Sequence, residues 1–194
     1  MNVDALTLAE FLDGIASERV TPAGGSATAV VGAVGASLCE MACIHADARD
    51  GDAATAMGDA RETLAGQRER LLALADADAA VVDELFGREA EGPGGDAAAK
   101  RALGVPLATA EAALTVLEAA VVVTEDGVGP AAADAAIGAH HARAALDASV
   151  FTVRSNEGLV ADDDYVDEVT ARCESLAVDG ERVFDAVLAA LDAE

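Results

Sequence analysis

Thr21–Met41 reads TPAGGSATAVVGAVGASLCEM. A proline leads into two glycines and a serine, and a helix-length run of Ala, Gly and Val follows. Pro22 suits the first turn of a helix, because it lacks an N–H and its φ is preset. Gly24, Gly25 and Ser26 leave backbone N–H groups uncovered at a helix start, where an anion is favoured. Gly32 and Gly35, with Ala29, Ala33 and Ala36, let another backbone approach closely. The stretch predicts a central, buried helix with an entrance ready for a ligand.

Outward from this stretch the periodicity is helical throughout. Leu8, Phe11, Leu12 and Ile15 give Leu6–Glu18 the 3–4 spacing of an amphipathic helix. The small-residue helix is expected to reach about Ala48, and Asp50-Gly51-Asp52 breaks the chain. A long helix is predicted over about 53–88, with Leu64, Leu71, Leu74, Val81 and Leu85 as its buried stripe. The run EAEGPGGD (89–96) is the clearest loop. A helix over 97–124 follows, with a bend expected near Gly104–Pro106, then a break at 125–130. Pro130 opens a helix to about Arg154, Asn156-Glu157-Gly158 closes it, and the last helix spans 162–191. No segment alternates like a strand and no repeat is evident. The expected fold is one all-α domain over 1–194, a bundle of six or seven helices.

Composition narrows the function. The 194 residues carry 36 acidic and 12 basic side chains, for a formal net charge of −24, and Lys100 is the single lysine. With no basic patch, nucleic-acid binding is disfavoured. With 53% hydrophobic residues and clear periodicity, the acidity reads as a hydrated surface rather than disorder. Such surfaces suit the cytoplasm of salt-loving organisms, where salt screens self-repulsion. The first ten residues carry Asp4 and Glu10 and no positive cluster, so no secretory leader is expected. The run 23–39 is nearly long enough for a membrane span, but its Gly/Ala content and Glu40 favour a soluble core, so no membrane partner is expected. Cys39, Cys43 and Cys173 have no disulfide-framework spacing. Cys39 and Cys43 with His45 form a conceivable metal set, and core packing is the plainer reading.

Asp78 stands out among the acids. Leu71, Leu74, Asp78, Val81 and Leu85 follow a 3–4–3–4 spacing, which sets a carboxylate in an apolar stripe. Burying it costs several kcal/mol unless it is paired or hydrogen-bonded. Asp76 and Asp83 read as surface acids. Asp134 follows Pro130 by four residues, where the helix dipole favours an acid. His141 lies about 20° from it around the helix, and Asn156 about 40° away but about 33 Å along the axis. One helix therefore cannot bring Asp134 and Asn156 together, and a site using both needs two subunits. His140 and His141 read as neutral structural histidines.

The chain resembles the formiminotransferase-cyclodeaminase and methenyltetrahydrofolate cyclohydrolase family. The resemblance rests on Glu10–Ser17 (EFLDGIAS), Thr21–Ser26 (TPAGGS), Gly32–Ala36 (GAVGA) and Met41. It continues through Leu71–Val82, Ala102–Glu111 (ALGVPLATAE), Gly127–Asp134 and Thr152–Asn156 (TVRSN), and so spans most of 6–156. Ala23 replaces a glycine of the family triplet, Val128 an asparagine and Ala133 a serine. The basic run that follows the first core helix is missing, and Arg49 remains there.

The resemblance implies a homodimer with folate one-carbon chemistry around 5,10-methenyltetrahydrofolate, needing no metal or redox cofactor. Asp78 and Asp134 would be the acid/base or cation-stabilising groups. Thr21, Pro22, Gly24, Gly25 and Ser26 would bind the pterin or the glutamate carboxylates through backbone N–H groups. His45 sits where the family is often polar or basic. Arg49 and Arg154 would meet anionic groups, and Asn156 would bond the pterin amide edge. No room exists in 194 residues for a formiminotransferase domain, which tilts the expectation to a cyclohydrolase. A cyclodeaminase, or a non-catalytic folate-binding or structural helical dimer, is the alternative.

Overall fold

The computed structural model describes residues 1–46, 52–87, 95–126 and 130–192. Among the described residues there are six α-helices, two short 3-10 turns and no strand. α1 is Leu8–Ile15, α2 Gly24–His45, α3 Asp52–Phe86, α4 Asp96–Asp126, α5 Pro130–Asn156 and α6 Asp163–Asp192. The fold is all-α.

α2 lies on one side of the bundle. It packs on α5 and α3, α4 packs on α5 and α3, and α6 lies over α4 and α5. Small residues set the closest approach. A Cβ on Gly35 would stand 2.7 Å from the Gly138 carbonyl oxygen and 3.0 Å from the Ala142 nitrogen. Farther along, the Cys39 thiol donates to the Ala135 carbonyl at 3.4 Å, and Gly32 faces Ala145 and Leu71. α2 therefore runs antiparallel to α5, and its pairing of Gly25 with Asp78 and Gly32 with Leu71 makes it antiparallel to α3 as well. One end of the bundle gathers the starts of α2, α4 and α6 with the ends of α3 and α5. Bonds from Arg101 to Glu84, Asn156 to Ala102 and Lys100 to Asp162 lie there.

Several expectations change. The first helix is shorter than 6–18: Thr7 caps it, its hydroxyl accepting from the Glu10 N–H while the Glu10 carboxylate accepts from the Thr7 N–H, a reciprocal pair that fixes the start. Of its apolar stripe only Phe11 is buried, at 5% exposed, while Leu8 is 70% and Leu12 53% exposed. α1 leans on the connection that follows it, with Gly14 against Pro22 and Arg19, and most of its apolar face stays exposed among the described residues. Pro22 is not in the first turn of α2. It precedes the N-cap residue Ala23, is buried, and follows Thr21 through a cis peptide bond. α2 itself is buried on one side only. Ala29, Ala36 and Cys39 are fully covered, whereas Val34 is 45% and Ile44 52% exposed on the other side.

α4 continues through Pro106 to Asp126. Proline has no N–H for the carbonyl four residues back, and Asn156 supplies the missing donor: its Nδ2 bonds the Ala102 carbonyl at 2.9 Å. The Tyr165 hydroxyl donates to the Lys100 carbonyl at 3.2 Å, just above the same point. Most of the predicted 89–96 loop, the Gly127-Val128-Gly129 part of the break, and Arg49 lie outside the described residues.

Candidate functional site around Asp78

Asp78 is 8% exposed, in the last third of α3. Its carboxylate stands at the N-terminus of α2. The Ser26 hydroxyl donates to Oδ2 at 2.7 Å, and the Ser26 backbone N–H also favours the charged form. A Cβ on Gly25 would land on that carboxylate, 2.6 Å from Cγ. Ala23, the N-cap, contributes no side-chain bond, so the first turn of α2 is served by a carboxylate from another helix. The positive end of the α2 dipole and two donors meet the charge. Burial acts the other way and is the larger influence: it pushes the Asp78 carboxyl above the usual carboxylate range, with Ser26 opposing. The result is a buried acid raised toward the pH at which it can exchange a proton.

The connection into α2 forms one wall of a cleft at the same end of the bundle, whose lining does not include Asp78 itself. The Thr21 hydroxyl donates to Asp83 Oδ1 at 3.0 Å. Glu10, Asp13, Arg19, Thr21, Pro22 and Asp83 line a cavity of about 580 Å3, within the size of small-molecule sites. Pro22 in that wall is three residues from Gly25, and Asp83 is five residues beyond Asp78 on α3. Gly24 is exposed with open space above its Cα. Arg19 escapes the sequence reading, and Asp83, read there as a surface acid, is exposed as expected while also accepting from Thr21. Nothing in the pattern pairs Thr21 with an acid on another helix, and Asp83 by itself is one more acid in an acidic chain.

The other candidates sit elsewhere. Asp134 is half-buried near the start of α5, one residue from the carbonyl that Cys39 bonds. His45 is exposed at the end of α2. Both lie at the far end of the bundle, and Gly25 to Cys39 alone is about 21 Å along α2. Within one chain, Asp78 and Asp134 do not meet. His141 Nδ1 lies 2.8 Å from the Ile137 carbonyl on its own helix. Arg154 is exposed on the last turns of α5 and belongs to the α6 side, where it opposes the burial that raises the Cys173 thiol. Asn156 shares the Asp78 end, with its amide nitrogen engaged by Ala102.

The cysteines are inert here. Burial pushes the Cys39 thiol up to about 12 and the Cys43 thiol up to about 11, far from thiolate reactivity. Among the described residues no three His, Cys, Asp or Glu side chains group as metal ligands.

Comparison with known proteins shows the family. The sequence profile of the formiminotransferase-cyclodeaminase family matches residues 7–175. The chain belongs to that family. A methenyltetrahydrofolate cyclohydrolase of Methylorubrum extorquens is 27% identical over 207 aligned positions, covering 93% of this chain and 95% of that protein. The crystal structure of a formiminotetrahydrofolate cyclodeaminase from Thermotoga maritima superposes with a TM-score of 0.89 at 24% identity, over 98% of both chains. The second likeness is one of fold.

Proposed function

We propose that this chain is a methenyltetrahydrofolate cyclohydrolase. It would hydrolyse 5,10-methenyltetrahydrofolate to 10-formyltetrahydrofolate. The observation that carries the reading is the buried Asp78 carboxylate held by Ser26 over the bare Cα of Gly25, in a chain related to a cyclohydrolase along nearly its whole length. The cleft lined by Thr21, Pro22 and Asp83 seats the substrate. Asp78 takes a proton from water as its oxygen bonds to the methenyl carbon. The C–N5 bond then breaks as Asp78 returns its proton to N5, the hydroxyl loses its proton to solvent to become the carbonyl, and the formyl group stays on N10. Before the attack, the ionised carboxylate also stabilises the iminium cation. No metal or redox cofactor enters the proposal. In the deaminase variant of this chemistry, N10 attacks a formimino carbon on N5 and ammonia leaves through a similar tetrahedral carbon. Faster loss of 5,10-methenyltetrahydrofolate absorbance over a no-enzyme control supports the cyclohydrolase. A blank there, with ammonia released from 5-formiminotetrahydrofolate, replaces it with the deaminase.

The working unit in this proposal is a cytoplasmic homodimer with a salt-adapted surface. Two observations support a second copy. Apolar side chains stand in solvent on α1, α2 and α5, with Leu8 at 70% and Phe151 at 71% exposed, more than a lone chain usually leaves open. Asp78 and Asp134 also lie toward opposite ends of α2, so a partner running antiparallel along that helix brings one to the other. The helices α2 and α4 are apolar enough to span a membrane by composition, yet 44% and 61% of their apolar windows are buried in the bundle. Light scattering in molar potassium chloride is expected to give twice the chain mass, and a monomer there rejects the dimer. Dialysis to dilute buffer is expected to cost helical circular dichroism, since the net charge of −24 is then unscreened. An unchanged spectrum contradicts the salt adaptation.

A further inference from the structure

Ser26 is wholly buried, at 0% exposed, and its hydroxyl, like that of Thr170 toward Glu157, leaves its own helix for a carboxylate. Ser37, Thr109, Thr124 and Thr152 each donate to the carbonyl four residues back on their own helix, the usual outlet for a hydroxyl within a helix. Ser26 donates across the bundle to a carboxylate 52 residues away. The residue before it is shaped to the same group. Gly25 is the position where a Cβ would displace the Asp78 carboxylate, whereas Gly24, one residue earlier, has nothing within 4 Å. Two consecutive residues at the start of α2 are thus fitted to one side chain of α3.

We propose that Ser26 is a positioning residue for Asp78: its hydroxyl fixes the carboxylate in the space left by Gly25, and it does not bind substrate. This rests on the reading of Asp78 as the group that acts on the folate. A hydroxyl already spent on Oδ2 has no second proton to give a ligand. Loss of the hydroxyl therefore frees the carboxylate to leave its reactive position, where a displacement of about 1 Å costs on the order of 100-fold in rate, while the groups that hold the substrate stay in place.

Charged groups around Asp78 are engaged elsewhere, so Ser26 is the partner that a variant removes. On its own helix Asp76 accepts the Val3 N–H and Asp83 accepts the Thr21 hydroxyl. On α4, Arg101 pairs with Glu84, and Lys100 with Asp96 and Asp162. Glu10 of α1 bonds Thr7, Arg154 of α5 lies by Cys173, and α2 carries no charge before Glu40. Ser26 holds the Asp78 carboxyl down against the effect of burial. Its removal therefore moves the Asp78 limb of the pH–rate profile to higher pH.

The test is steady-state turnover of 5,10-methenyltetrahydrofolate by the full chain in molar potassium chloride. The wild type is compared with Ser26→Ala, Ser26→Thr and Asp78→Asn across pH. In Ser26→Ala, kcat is expected to fall on the order of tenfold or more with KM little changed. The Asp78 limb moves to higher pH, and Ser26→Thr recovers part of both. Ser26→Cys, similar in size and a weak donor, carries the same prediction if Ser26→Ala does not fold. Three outcomes overturn the proposal. Wild-type kcat and an unmoved limb in Ser26→Ala, with Asp78→Asn inactive, remove the positioning role and leave Asp78 in place. A raised KM at unchanged kcat makes Ser26 a substrate contact. Wild-type turnover in Asp78→Asn removes the reading on which the proposal rests.

Discussion

Gly25 and Gly35 lie ten residues apart on one helix, and both are bare because something else occupies the space of a side chain. At Gly35 the occupant is the backbone of α5, with the Gly138 carbonyl oxygen 2.7 Å from the position of a Cβ. At Gly25 it is the carboxylate of Asp78. The first is a packing contact between two rigid helices. The second is a cradle for a side chain that can swing away. The same residue type in the same helix therefore serves the fold at one position and the chemistry at the other, and the difference lies wholly in the neighbour. The two should fail differently: stability at the crossing, activity at the cradle.

Gly138→Ala is the strongest way to break the crossing. Its Cβ would meet the Cys39 sulfur at 2.6 Å and the Gly35 carbonyl oxygen at 2.7 Å. Backbone cannot give way cheaply, so the expected loss is about 3 kcal/mol or more. Calorimetry should show Tm falling on the order of 10 °C for a chain of this size. A Tm near wild type would mean that the helices slide apart at little cost. Gly25→Ala sharpens the contrast. Its Cβ evicts the carboxylate and breaks the Ser26 bond, worth about 1 kcal/mol, while turnover falls on the order of 100-fold. Gly24→Ala, one residue away in open space, is the control for stability and should leave Tm within error. If Gly25→Ala lowers Tm as far as Gly138→Ala, the cradle is structural.

Asn156→Ala probes a smaller structural link at the Asp78 end. It leaves the Ala102 carbonyl without its donor beneath Pro106, at a cost of about 1–2 kcal/mol. Urea unfolding is the suitable measure. An unchanged midpoint would free Asn156 for the substrate contact that the family resemblance implies.

Asp78→Asn gives the smallest shift, and of opposite sign. Burial raises the folded-state pKa of Asp78. The group therefore contributes stability that is fully present below its unfolded pKa and lost as pH rises through the raised folded value. At neutral pH the ionised carboxylate is a liability, and the asparagine relieves it. Tm should rise by a few degrees at pH 7, and the gain should vanish in acid. A lower Tm at neutral pH would mean that the donors of Ser26 outweigh burial.

Much of this was legible in the chain. Apolar spacing placed the four long helices α3 to α6 to within about two residues, because long helices repeat their signal many times. The same spacing singled out Asp78, since an acid in register with Leu71, Leu74 and Val81 has an unusual neighbourhood whatever the tertiary fold. The rest depended on which helices meet. The stripe of Leu8, Leu12 and Ile15 in α1 has the pattern of a buried face, yet among the described residues it stays largely exposed. Asn156 is a plausible ligand contact until Pro106 proves to lie beside it and to need a donor. Asp83 gained its place from Thr21, 62 residues away. Asp134 and Asp78 read as partners, and the antiparallel run of α2 against α5 and α3 sets them toward opposite ends.

The most direct measurement is the decay of 5,10-methenyltetrahydrofolate absorbance with wild-type and Asp78→Asn protein in molar potassium chloride. The account predicts that the wild type accelerates the decay over the no-enzyme control. Asp78→Asn, folded and at least as stable, should lose on the order of 100-fold or more of that turnover. Turnover by Asp78→Asn at the wild-type rate would contradict it.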